Sequence, residues 1–458
     1  MAWERGARVS AGARASGPAG EPRSLTAPPI QRVHAWEALD SRGDPTVGCA
    51  VSLAGGARGS AIVPAGASTG GHEAREARDG GSRFGGRGVR NAVRAVCGEL
   101  AGAVCGTAFD QRSLDARLRA LDGTPELSRV GANAVLGVSL AFAAASARAA
   151  GLELYEAAAV APGEPPLLPL PMVNVVSGGA HADGAVDIQD VLAVPVAAQS
   201  FAEAIEMAAA VRQGTVDVAR ADGYDVSLVA DEGGLAPRLS RNREAIELVV
   251  RGIERAGLRA GPQVALAIDV AANQLAAGDG YALRSEGRWV DAEAWADEVA
   301  SWLDDYPVAS IEDPLREDDW PGWARLTERI GARVQLLGDD FFATNPERLR
   351  RGIDGGVANA VLVKPNQIGT LSDALDVART ARAAGYRTVL SARSGDTEDG
   401  WLADLAIAWR TGQIKVGSLV RAERTAKWNR LLQIESELGS QAGFAGGAVL
   451  GVGGAERR

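Results

Sequence analysis

Six times in its second half, this chain runs through a short apolar stretch and stops abruptly on a polar or charged residue. Residues 264–268 stop at Asp269, 308–311 at Glu312, and 334–337 at Gly338-Asp339-Asp340. Residues 360–363 stop at Lys364, 388–390 at the segment 391–394, and 413–414 at Lys415. After the first, these ends are spaced by roughly 22 to 30 residues, the length of a strand, a helix and two loops. Repeated βα units of that length predict a parallel sheet, and so many in succession favour a closed barrel over an open sheet. No shorter repeat of the kind that builds a solenoid is present.

Chemistry on such a barrel sits at the C-terminal ends of its strands. Here those ends carry Asp269, Glu312, Asp339, Lys364, Arg393, Ser394 and Lys415. Three carboxylates from successive strands, converging on one mouth, repel one another unless a cation holds them. Oxygen ligands without Cys or His point to Mg²⁺ or Mn²⁺ rather than zinc. Two lysines and an arginine on the same mouth make a pocket for a small, multiply negative substrate. A divalent ion can clamp a substrate carboxylate and hold the charge that builds when the adjacent carbon loses its proton. A lysine placed near other cations can serve as the base. The set therefore suits proton abstraction α to a carboxylate, followed by elimination of a hydroxyl.

Composition sharpens the lysines. Of 48 basic residues only Lys364, Lys415 and Lys427 are lysines. An ammonium can give up its proton when its surroundings oppose the charge, whereas a guanidinium practically cannot. Lysines that survive in an Arg-dominated chain thus invite a chemical role. Two of them stand at strand ends, and Lys427 is expected on the surface. The formal charge of −10 does not suit a nucleic acid or an anionic membrane as main partner. Cys49, Cys97 and Cys105 form no even framework and no CxxC pair, so free thiols and a cytoplasmic setting are expected. The apolar stretch 132–150 carries Asn133, Ser139, Ser146 and Arg148 and reads as a buried helix rather than a membrane span.

Upstream of the barrel, residues 1–29 are rich in Gly, Ala, Arg, Ser and Pro and read as a disordered extension. Residues 30–160 follow as a small α+β unit, with strands at 46–53 and 59–63 and helices at 114–121 and 132–151. The Pro-rich stretch 161–171 reads as a linker, 172–439 as the barrel, and 440–458 as a Gly-rich tail. The fold class expected is α/β, a TIM-like barrel with a smaller N-terminal α+β domain.

The motifs together resemble one family, the enolases (phosphopyruvate hydratases), from about Val33 to Gly439. They include Leu39-Asp40-Ser41-Arg42-Gly43-Asp44-Pro45-Thr46-Val47, Gly66-Ala67-Ser68-Thr69-Gly70 and Gly131-Ala132-Asn133-Ala134-Val135-Leu136-Gly137-Val138-Ser139. Asp231-Glu232-Gly233-Gly234, Ser310-Ile311-Glu312-Asp313-Pro314 and Lys364-Pro365-Asn366-Gln367-Ile368-Gly369-Thr370 follow in order. The series closes with Arg393-Ser394-Gly395-Asp396-Thr397-Glu398-Asp399 and Gly412-Gln413-Ile414-Lys415.

The resemblance implies dehydration of 2-phosphoglycerate to phosphoenolpyruvate with two Mg²⁺ ions per site, by a homodimer or a larger assembly. Asp269, Glu312 and Asp339 match the ligands of the first ion, and Ser68, in a glycine-rich loop that reads as a lid, matches a ligand of the second. Lys364 matches the base, and Glu232 matches the acid that helps the hydroxyl leave. Lys415 matches a contact to the substrate carboxylate. Arg393 and Ser394 match the phosphate-binding pair, and His181 matches a loop histidine near the phosphate.

Departures cluster at the phosphate and hydroxyl end. Ala392 replaces a usual His, and the usual Asn-Gly-Gly-Ser-His reads Ser177-Gly178-Gly179-Ala180-His181. Asp190 stands in for a glutamate that helps the acid. Ala65 replaces a Ser in the loop, and Gly48 occupies a commonly acidic place near the family's dimer interface. Besides an ordinary enolase, two readings follow. One is a dehydratase of phosphonate natural-product biosynthesis forming carboxyphosphonoenolpyruvate, with space for a larger acidic group at Ala392. The other is a catalytically silent binding protein of the same fold.

Overall fold

The computed structural model describes residues 25–66 and 70–451 of the 458. The loop serine Ser68 and residues 1–24 of the expected extension lie outside the described residues. The last part of that extension is ordered into the fold. Ala27 is buried and its N–H donates to the Phe109 carbonyl at 2.8 Å.

The N-terminal unit opens with an antiparallel meander: β1 (Ile30–Leu39), β2 (Pro45–Leu53) and β3 (Arg58–Ile62). Helix α1 (Gln111–Asp122) packs against helix α2 (Ala132–Ala149), which lies on β2 and β3. Asp110 caps α1 by accepting from the Ser113 N–H at 2.7 Å, and left-handed Gly123 ends it. The apolar α2 is buried on nearly every face between β2, β3 and the barrel, which is why it lacks an amphipathic stripe. In β2, Gly48 faces Trp36 of β1, and a Cβ there would lie 2.3 Å from the indole. The space an acidic side chain would need is filled by tryptophan.

Eight strands then close a barrel in sequence order: β4 (Leu170–Ser177), β5 (Asp190–Val194), β6 (Ala265–Asp269), β7 (Val308–Glu312), β8 (Gln335–Gly338), β9 (Ala360–Val363), β10 (Arg387–Ser391) and β11 (Gly412–Gly417). The last six are those read from the sequence. The first two carry no βα signature, because β4 turns into β5 through a short loop and β5 runs antiparallel to both its neighbours. Two successive helices, α3 (Phe201–Ala221) and α4 (Asn242–Arg255), then return the chain to β6.

Two boundaries differ from expectation. The linker ends early, since β4 begins at Leu170, within 161–171. The tail also docks. Gly443 and Phe444 pair with Leu167 and Leu168, and Leu450 is buried among Leu170, Val194 and other residues lining the barrel interior.

Alternation along the strands sends every second side chain inward. On β6 these are Ala265, Ala267 and Asp269, and from β9 onward Ala360, Leu362 and Lys364. Midway along the barrel, Gln335 bonds Ser310 at 3.0 Å and Gln413 at 3.1 Å across the interior. Above this floor the next inward residues are the charged ones.

Candidate active site

Because strand ends share one level of the barrel, period-2 alternation alone brings Asp269, Glu312, Asp339, Lys364, Lys415 and Asp190 into one space. The carboxylates and Lys415 are buried. The Lys415 ammonium donates at 2.7 Å to Asp269 and to both oxygens of Glu312. Lys364 Nζ pairs with Asp339 Oδ2, and Gln367 donates to Asp339 Oδ1 at 3.1 Å.

The electrostatics follow from this packing. Burial, with Asp269 beside it, raises Glu312 well above the usual carboxylate range. Burial opposes the charge on Lys415, but Asp269 and Glu312 outweigh it and raise that group. Burial likewise opposes ionisation of Asp339, yet Lys364 and Lys415 hold it below its ordinary value.

Opposite Lys364, the loop after β4 and the segment around Glu232 build a second cluster. His181 Nδ1 lies 2.9 Å from Asp190 Oδ2, and its Nε2 lies 3.8 Å from Glu232 Oε1. Burial works against a charged imidazole, but Asp190 and Glu232 together push His181 up to about 9. Asp190 is itself raised by burial, against the pull of His181. Its other oxygen accepts from Ser177 Oγ at 2.8 Å and from Asn174. Two of the departures therefore meet: the shorter carboxylate at 190 is held by the serine at 177. Asp190 bonds His181 rather than Glu232, and His181 bridges the two carboxylates.

The third wall comes from the segment after β10. Arg393 donates to Glu73 and, at 3.0 Å, to Asn366. Its carbonyl and that of Ser394 accept from the fully buried Arg424. Ala392 is buried between them and β10, and its N–H donates to the Lys415 carbonyl at 2.9 Å. Ala65 and Gly395 exchange backbone hydrogen bonds at 2.8 and 2.9 Å, fastening one end of the glycine-rich loop to this wall. That approach requires glycine, since a Cβ at 395 would lie 2.2 Å from Asp40 Oδ2.

Among the described residues, the contacts above join Lys415 to Asp269 and Glu312, Lys364 to Asp339, and His181 to Asp190 and Glu232, while Arg393 and Ser394 lie on the segment after β10. Several partners escaped sequence reading. Glu73 holds Arg393, Gln367 holds Asp339, and Asp313 accepts from the N–H groups of Asp339 and Asp340 at 2.9 and 2.7 Å. Gln367 and Asp313 lie inside the quoted motifs, which was the available signal. Lys427 is corrected. It is buried, and its ammonium donates to Asp396 Oδ1 at 2.5 Å and to the Thr397 and Glu423 carbonyls.

The donor set fits a hard divalent cation. Asp269, Glu312 and Asp339 offer only oxygens, are buried, and already gather positive charge in the form of ammonium groups. Oxygens of Asp313, Asp339 and Asp340 also lie within 4.8 Å of one another.

Comparison with known protein families agrees with this architecture. The family described as "Enolase, N-terminal domain" matches residues 30–157, and "Enolase, C-terminal TIM barrel domain" matches residues 165–451. With the barrel, the acidic mouth and the lysines all inside those two matches, the chain belongs to the enolase family.

Proposed function

We propose that this protein is a Mg²⁺-dependent hydro-lyase that removes water from 2-phosphoglycerate to give phosphoenolpyruvate. The observation that carries the reading is the buried set of Asp269, Glu312 and Asp339 at successive strand ends, paired with Lys415 and Lys364, with the His181–Asp190–Glu232 cluster supplying the acid. Asp269, Glu312 and Asp339 would hold the metal, with Ser68 for a second ion. When bound, Mg²⁺ supplies charge to stabilise the carboxylate of the deprotonated substrate.

The chain's own residues do the rest. Lys415 and Arg393 orient the anionic ends of the substrate. Lys364, in its amine form, takes the proton from C2, and that electron pair becomes the C2–C3 double bond. The C3–O bond breaks, and Glu232 gives its proton to the departing hydroxyl, which leaves as water. Asp190, acting through His181, sets the electrostatics around Glu232. The reading includes a homodimer working in the cytoplasm on a small anionic substrate.

A second reading is favoured by Ala392. The residue is buried on the wall next to Arg393 and Ser394, where a methyl group replaces a larger side chain. That supports dehydration of a phosphonate analogue with a bulkier acidic group. A silent binding protein has less support, because the costly buried charges at the mouth keep a metal-type carboxylate set and two lysines together, which binding alone does not call for.

The test is Mg²⁺-dependent formation of enolpyruvate absorbance from 2-phosphoglycerate. Turnover is expected, and Lys364→Ala should lower it by about 10²–10⁴-fold. No turnover with Mg²⁺ binding intact would transfer the assignment to the phosphonate analogue. Failure to bind Mg²⁺ would remove both catalytic readings.

A further inference from the structure

Glu73 belongs to none of the roles assigned above, yet it is one of the most connected side chains in the site. It lies just beyond the glycine-rich loop in the N-terminal unit and is buried. Its Oε2 accepts from one Arg393 nitrogen at 3.0 Å and its Oε1 from the other at 3.2 Å. The same Oε1 accepts from Gln367 Nε2 at 3.2 Å, and Gln367 donates onward to Asp339 Oδ1 at 3.1 Å. It also accepts from the Gly70 N–H at 3.0 Å.

A guanidinium held by two parallel bonds has one orientation, because the fork is planar and rigid. Charge alone argues the other way. A carboxylate beside an anion-binding arginine weakens the Coulomb attraction for any anion that arrives, so whatever Glu73 contributes comes through the orientation of the guanidinium and not through its charge.

We propose that Glu73 is a positioning residue that aims Arg393 at the substrate's phosphate-like end and, through Gln367, ties that aim to Asp339 and hence to Lys364. The proposal rests on the reading of Arg393 as the anion-binding group. It gives the N-terminal unit a direct part in a site whose other charged groups come from the barrel. One oxygen pair then sets the distance between the anion anchor and the proton-transferring lysine.

Glu73→Gln in the full-length protein tests it, because the amide keeps the shape, removes the charge and cannot accept both guanidinium bonds. Inorganic phosphate binding by titration calorimetry and steady-state kinetics with 2-phosphoglycerate are read side by side. Positioning predicts phosphate binding at least tenfold weaker despite the lost negative charge. It also predicts kcat about 100-fold lower, as a misplaced contact gives, with a smaller rise in KM. Phosphate binding that is unchanged or tighter in the variant would overturn the proposal, as would a wild-type protein that binds no phosphate. Should the variant fail to fold, Gln367→Ala removes the bridge from Glu73 to Asp339, together with the bond Gln367 accepts from Thr344, and leaves both Arg393–Glu73 bonds in place. It should lower kcat while leaving phosphate affinity within twofold, and an unchanged kcat would count against the proposal. A wild-type protein inactive on 2-phosphoglycerate but showing the phosphate effect would sink the assigned reaction and leave Glu73 in its role.

Discussion

Each of the three lysines ends up buried or nearly so against carboxylates, but not all for the same reason. Lys364 and Lys415 face the barrel mouth, whereas Lys427 locks the loop behind it by bonding Asp396 and two carbonyls. Asp396 in turn accepts from the Arg393 N–H at 3.2 Å, so this buried pair supports the segment that carries Arg393. Lys427→Met keeps the volume but leaves the Asp396 charge without its partner. It should cost about 3–5 kcal/mol, read as a lower denaturant midpoint at neutral pH. A change below about 1 kcal/mol would mean the pair contributes little. Sequence reading found Lys364 and Lys415 because they stand where apolar runs end. Lys427 has no such marker, since it sits in a helix and its partners arrive from a distant loop, a relation that spacing along the chain does not encode. Glu73 was hidden for the same reason.

At the level of elements, the βα repeat was legible wherever strand and helix alternate, which is why β6 to β11 and their terminal residues could be read directly. It was not legible at β4 and β5. Their antiparallel hairpin breaks the period, and β4 starts inside a Pro-rich stretch that imitates a linker. The N-terminal meander shows how one position can depend on another across a ladder. Gly48 exists in this form because Trp36 lies over it. Gly48→Ala should therefore displace the indole and cost about 1–3 kcal/mol. Combined with Trp36→Ala the cost should shrink, a coupling that a double-mutant cycle of unfolding free energies measures. Strict additivity would show that the indole does not restrict position 48.

Across the whole molecule, the barrel is closed by its ends. The last strand, β11, pairs with the first, β4, and the short Leu167–Leu168 and Gly443–Phe444 ladder lies just outside them. Leu450 fills the end of the barrel away from the charged mouth, beneath Leu170 and Val194. Leu450→Ala should cost about 2–5 kcal/mol in equilibrium unfolding, the range for a core truncation, with little change in KM because the site lies at the opposite end. A large KM effect with no loss of stability would contradict that placement. The same closure has a consequence for how the protein is made. Leu170 waits for Gln413 and for Leu450, so while the chain is still on the ribosome its barrel interior has neither its last wall nor its plug. The N-terminal unit can form early from local pairings, but the barrel is sealed only after β11 and Leu450 have emerged. A translation product that stops short of them would carry every charged residue of the mouth and still expose an apolar interior, leaving it a target for chaperones and proteases rather than a working enzyme.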